Sequence, residues 1–110
     1  MSGATPPDGT LIAMCSALAD ETRWSILTAL GQGDASASAL ARHLPVTRQA
    51  IAKHLAVLHD VGLVETVHVG REVRYHVIGA ELSAMARHLD AIGTAWDQRL
   101  SAIKHIAENL

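Results

Sequence analysis

A chain of 110 residues is long enough for one domain with a modest core, and 49 % apolar residues is the share of a globular protein, not a disordered one. No run approaches the roughly 20 apolar residues needed to cross a bilayer, which argues against a membrane protein. The formal net charge of −2 argues against a polyanion binder until the charges are placed along the chain. Across residues 42–76, Arg42, Arg48, Lys53, Arg71 and Arg74 outnumber Asp60, Glu65 and Glu72, whereas acids prevail on either side. Phosphate contacts are made by one face, so a local excess matters more than the total.

Residues 1–10 include Ser2, Gly3, Pro6, Pro7, Asp8 and Gly9 and contain no Lys or Arg. They read as a frayed arm, not a signal peptide, and residues 11–110 as one domain. The lone cysteine, Cys15, cannot close an intramolecular disulfide, which fits a cytoplasmic setting. Its neighbours Ile12, Met14 and Leu18 suggest a buried, inert thiol, with redox sensing as the alternative.

Leu11, Met14, Cys15 and Leu18 recur at helical spacing and predict a first helix. Asp20 can cap a second, with Ile26, Leu27 and Leu30 inward and Gly31 and Gly33 ending it in a left-handed turn. Ser36 or Ser38 can cap a third, carrying Leu40 and Leu44, which Pro45 stops. Thr47 caps a fourth, with Ile51, Leu55 and Leu58 on one side and Gly62 at its end. Two short helices around a tight turn are the helix-turn-helix pattern. The second offers Arg48, Gln49, Ala52 and Lys53 at the end that meets the major groove in this motif.

The β-branched runs around Val69-Gly70-Arg71-Glu72 predict a hairpin, with Arg71 at its tip. A hairpin in that place is a wing, able to reach a flanking phosphate or the minor groove. The remainder is helical: Leu82, Met85, Leu89, Ile92, Trp96, Leu100, Ile103, Ala107 and Leu110 follow three- and four-residue steps. So long a stripe exceeds what a small domain can cover, so it wraps the first helix, pairs with a second copy, or does both. The fold class is thus mostly α with a small β-hairpin.

Several segments resemble the ArsR/SmtB family of bacterial winged helix-turn-helix repressors. They are Ala17-Leu18-Ala19-Asp20-Glu21-Thr22-Arg23-Trp24-Ser25-Ile26-Leu27, Leu40-Ala41-Arg42-His43-Leu44, the run from Val46 to Leu58, Val61-Gly62-Leu63-Val64 and Gly70-Arg71-Glu72-Val73-Arg74-Tyr75. The resemblance implies a homodimer joined by its N- and C-terminal helices, binding double-stranded DNA at an inverted-repeat operator as a repressor. It places Thr47, Arg48, Gln49, Lys53 and His54 in the recognition helix and Arg71 and Arg74 in the wing. For the dimer interface it implies Leu11, Leu18, Leu89, Ile92, Trp96, Leu100 and Ile103. Where family metal sensors carry a Cys-x-Cys pair, this chain has Ser36 and Ser38, and hydroxyls are poor ligands for soft metals. His88, Asp90, His105 and Glu108 stand in the wrong order for the family's other site. The resemblance is therefore to the metal-independent branch, with no cofactor expected and room left for a small-molecule or protein effector.

Plainer readings stand beside these. Arg48, Gln49 and Lys53 on an isolated helix would be a solvated face; their place before a wing turns them into DNA contacts. Thr47 serves as cap, phosphate contact, or both. His54 either touches phosphate or packs at the helix boundary. Arg71 and Arg74 are alternatively ordinary strand charges, and Tyr75 is wing packing. Trp96 is dimer core or the lining of a ligand pocket. A winged helix that has kept its fold but binds only protein is the competing function. An enzyme is the weakest candidate, for want of a phosphate-binding glycine loop, a His-Glu-x-x-His pair or a nucleophile elbow.

Overall fold

The computed structural model describes residues 8–109, and residues 1–7 of the expected arm lie outside them. The chain forms α1 (Asp8–Leu18), α2 (Glu21–Leu30), α3 (Ala37–His43), α4 (Arg48–Asp60), β1 (Val64–Val69), β2 (Glu72–Val77) and α5 (Gly79–Glu108). Helix α1 therefore starts three residues before Leu11.

Each of the three central helices begins on a side-chain oxygen that satisfies an otherwise orphaned amide. Asp20 Oδ1 accepts from the Arg23 amide at 3.0 Å, Ser36 Oγ from Ala39 at 3.1 Å and Thr47 Oγ1 from Ala50 at 3.1 Å. Helix α4 closes differently, at Gly62 with φ +82°. The Leu63 amide reaches back to the Leu58 carbonyl and the Gly62 amide to that of His59, both at 3.0 Å. Leu58 and Leu63 are both fully buried, supplying the apolar contact that accompanies such a cap. Leu63 is thus part of the cap and not of the strand. Gly31, by contrast, stays in the right-handed helical region at φ −64°, and of the two glycines expected to end α2 it is Gly33 that has positive φ, at +156°.

Strands β1 and β2 pair antiparallel with Val69 opposite Glu72, leaving Gly70 and Arg71 as a two-residue loop. Gly70 has φ +64° and Arg71 does not have positive φ, the arrangement of a type II′ turn that matches strand twist. The hairpin is also held to the α2–α3 loop, where Tyr75 and Ala35 exchange backbone bonds of 2.8 and 3.3 Å.

The core lies where α1, α2, α3, α4 and the start of β1 converge, on Ile26, Ile51, Leu55, Leu58, Leu63 and Val64, none more than 1 % exposed. Leu11, expected at the dimer interface, belongs to this core instead, with Met14 and Ala17. Its neighbour Ile12 is a large apolar residue of α1 that faces outward, at 67 % exposure. The inward arc of α1 centres on Met14, and Cys15 falls beyond its edge. The cysteine is exposed, which corrects the expectation of a buried thiol.

Helix α5 is a single 30-residue rod, about 45 Å long at 1.5 Å per residue. It touches the core through Leu82 and Met85 and then leaves it, which accounts for the 68 Å long dimension of the molecule. Beyond Met85, the apolar residues Leu89, Ile92, Trp96, Leu100, Ile103 and Ile106 are 46–63 % exposed. Ile106 joins the stripe expected from the sequence, whose last expected member, Leu110, lies outside the described residues. Among the described residues, no helix is long and apolar enough to cross a membrane.

Candidate nucleic-acid interface

Helix α4 has two distinct sides. Ile51, Leu55 and Leu58 are sealed into the core, whereas Arg48, Gln49, Ala52, Lys53 and Ala56 are all exposed. At 3.6 residues per turn these five span about 140° of the helix surface. The alanines between the polar side chains keep that surface low enough to approach a groove floor.

The wing extends the same surface. A cleft of about 460 Å³ runs between the start of α3, the first turns of α4 and the hairpin, and both Arg48 and Arg71 line it. Arg48 is steadied from below, its Nε donating to Ser38 Oγ at 2.9 Å. The structure therefore brings Arg48 and Arg71 together at the cleft, with Gln49 and Lys53 on the adjoining exposed face of α4 and Thr47 at its cap.

It sets two other expected residues apart. His54 sits on the opposite flank of α4, with 23 % of its side chain exposed, and its Nδ1 meets Arg23 Nη1 at 3.2 Å. Arg23 Nε also donates to the Ala17 carbonyl at the end of α1, at 2.6 Å. Arg23 thus joins α1, α2 and α4, and His54 is the α4 end of that joint. The Arg23 amide, with help from the Arg23 guanidinium and His54, holds the Asp20 carboxyl below its ordinary range against a smaller opposing push from burial. Its contribution to folding is present above the ordinary carboxylate pKa and fades as acid protonates it. Arg74 is likewise occupied, its Nε donating to Glu72 Oε1 at 2.8 Å. The sequence did carry a signal for that pair, since residues two apart on a strand share a face.

The wing's attachment contains a titratable strap. His76 Nδ1 lies 2.7 Å from Asp34 Oδ1 on the α2–α3 loop, and Glu65 stands across the hairpin from His76. The bond to Asp34 and that carboxylate's charge raise the imidazole pKa above 6.5. A raised pKa stabilises the folded form below the ordinary imidazole midpoint, and the effect is lost as pH rises through the folded-state value. Asp34→Asn is expected to return the His76 midpoint, followed by NMR titration, towards 6.5. The stability gap between variant and parent should shrink as pH climbs past the parent's midpoint; a gap that widens would refute the strap.

A second surface lies away from the cleft. An apolar groove of about 580 Å³ between α1, α2 and the start of α5 is lined by Leu18, Trp24, Leu27, Leu82, Met85 and Leu89, with Cys15 at its margin. Leu89 belongs to both this groove and the exposed stripe of α5, so the two form one continuous apolar surface. On that stripe the Arg99 guanidinium stacks over Trp96, 4.9 Å from the ring centre.

A helix-turn-helix whose exposed recognition face meets a flanking hairpin across a basic cleft defines a winged helix-turn-helix DNA-binding domain. A profile described as a helix-turn-helix domain matches residues 18–67. The HTH-type transcriptional regulator CmtR of Mycobacterium bovis is 37 % identical over 90 residues, which cover 82 % of this chain and 76 % of that protein. The chain belongs to the ArsR family of helix-turn-helix transcriptional regulators, DNA-binding proteins and not enzymes. An ArsR-like transcriptional regulator from Rhodococcus sp. RHA1 superposes with a TM-score of 0.84 at 61 % identity, over 90 % of this chain and 93 % of that one. The cadmium metal-sensor CMTR from Mycobacterium tuberculosis is 43 % identical with a TM-score of 0.56, over 61 % of this chain and 69 % of that one.

Proposed function

We propose that the protein is a homodimeric repressor that places two copies of α4 in successive major grooves of an inverted-repeat operator. The observation carrying this reading is the shared cleft: the recognition helix and the wing line one space with Arg48 and Arg71, neither of which is in an ion pair among the described residues. Gln49 and Lys53 read base edges, for which an amide and an ammonium suit adenine and guanine respectively. Arg48 and Arg71 hold phosphate, and Thr47 caps α4 where the helix N-terminus favours an anion. His54 keeps α4 in register with α2. The partner covers the α5 stripe from Leu89 to Ile106 together with the groove beside Leu18, with Ile12 and Trp24 at its margins. A cytoplasmic setting follows from the DNA target.

Metal plays no part in this reading. Ser36 Oγ is occupied as a helix cap and Ser38 Oγ by Arg48, and Cys15 is the chain's only thiol. The test is a fluorescence-anisotropy titration against the promoter region of the protein's own gene at several salt concentrations. Tight binding at low salt that falls steeply as salt rises, unaltered by added cadmium, supports the proposal. Absence of binding at low salt rejects it.

A further inference from the structure

The cleft between α4 and the wing contains one charge of the wrong sign for its task. Glu72 lines it at the turn end of β2 together with Arg48 and Arg71, and a bare carboxylate beside the cleft would repel the phosphate that the arginines attract. Its oxygen is instead bonded to Arg74 Nε at 2.8 Å, from a residue that does not itself line the cleft. Both partners are partly exposed, 42 % and 46 %, so the pair adds little to folding stability. Its consequence is electrostatic: it cancels the acid and leaves the cleft with two uncompensated guanidinium groups. Ser38 takes the Nε of Arg48, which leaves the terminal amino groups of that guanidinium for a ligand.

We propose that this cleft clamps one DNA backbone phosphate between Arg48 and Arg71, and that Arg74 supports the clamp without touching DNA, by neutralising Glu72. The inference rests on the DNA-binding reading above and deepens it. It assigns Arg74 a role different from that of a wing contact, and it gives Glu72 a function that neither residue shows alone.

The experiment is a double-mutant cycle on operator affinity, with the salt slope measured for each variant. Arg74→Ala exposes Glu72 and should weaken binding by roughly tenfold. Glu72→Gln should bind at least as tightly as the parent. Arg74→Ala with Glu72→Gln should recover to within about threefold of the parent and keep the parental salt slope. Arg71→Ala should lower that slope by about two units, the loss of one phosphate contact in each half of the dimer. A double variant as weak as Arg74→Ala, with a shallower slope, would show Arg74 itself on the phosphate and overturn the proposal. A parent protein that binds no DNA would overturn the functional reading and the clamp together.

Discussion

Replacing Arg48 and Lys53 together with alanine is expected to lower operator affinity on the order of 100-fold while leaving the protein folded. A side chain that contacts a base contributes about 1–3 kcal/mol and a phosphate contact adds to it, so losing both costs about 3 kcal/mol, roughly 100-fold. The fold should tolerate the change, because both residues are exposed and the only bond Arg48 makes among the described residues is to Ser38 Oγ. Alanine is also the better helix former, and a cation at the first position of α4 opposes the helix dipole. Melting should therefore be unchanged or slightly improved as binding collapses. That combination separates a reading head from a structural face. Undiminished affinity would mean that α4 does not face DNA.

Trp96→Glu is expected to dissociate the dimer, raising its dissociation constant by about 100-fold or more. Trp96 is 54 % exposed in the protomer and lies midway along the apolar stripe of α5. A large indole there is costly to leave hydrated, and a carboxylate cannot be buried against Ile92 and Leu100 without a partner. Because the stripe beyond Met85 contributes nothing to the core, the protomer itself should stay folded. Sedimentation at micromolar concentration should show a dimer for the parent and a monomer for the variant. Operator binding should fall with it, since tethering two reading heads raises the effective concentration of the second. A parent that sediments as a monomer would remove the basis of the two-groove arrangement.

The local rules of the chain were well expressed in its sequence. Asp20 and Thr47 cap the helices expected of them, Ser36 is chosen over Ser38, and Gly62 and Gly70 occupy the two left-handed positions that a helix end and a tight hairpin require. Each rests on chemistry within a few residues. What escaped the sequence depends on the third dimension. Periodicity finds the side of α1 that turns inward, with Leu11 and Met14 on it, but not how wide that side is, and so Cys15, expected inside, lies beyond the edge. His54 lies within a basic-looking helix, and only its packing against α2 shows that its partner is Arg23. Arg74 carries the charge of a DNA contact, and only the strand geometry shows it already paired. The α5 stripe was legible as apolar but not as free, because exposure depends on where the rest of the protein stops.

Purine methylation protection on the bound operator tests the placement of α4 most directly. Guanine N7 opens into the major groove and adenine N3 into the minor groove, so dimethyl sulfate reports the two separately. Two patches of guanine N7 protection about one helical turn apart are predicted, both lost in the Arg48→Ala, Lys53→Ala variant. Protection confined to adenine N3, or a single N7 patch at saturating protein, would contradict a paired major-groove reader.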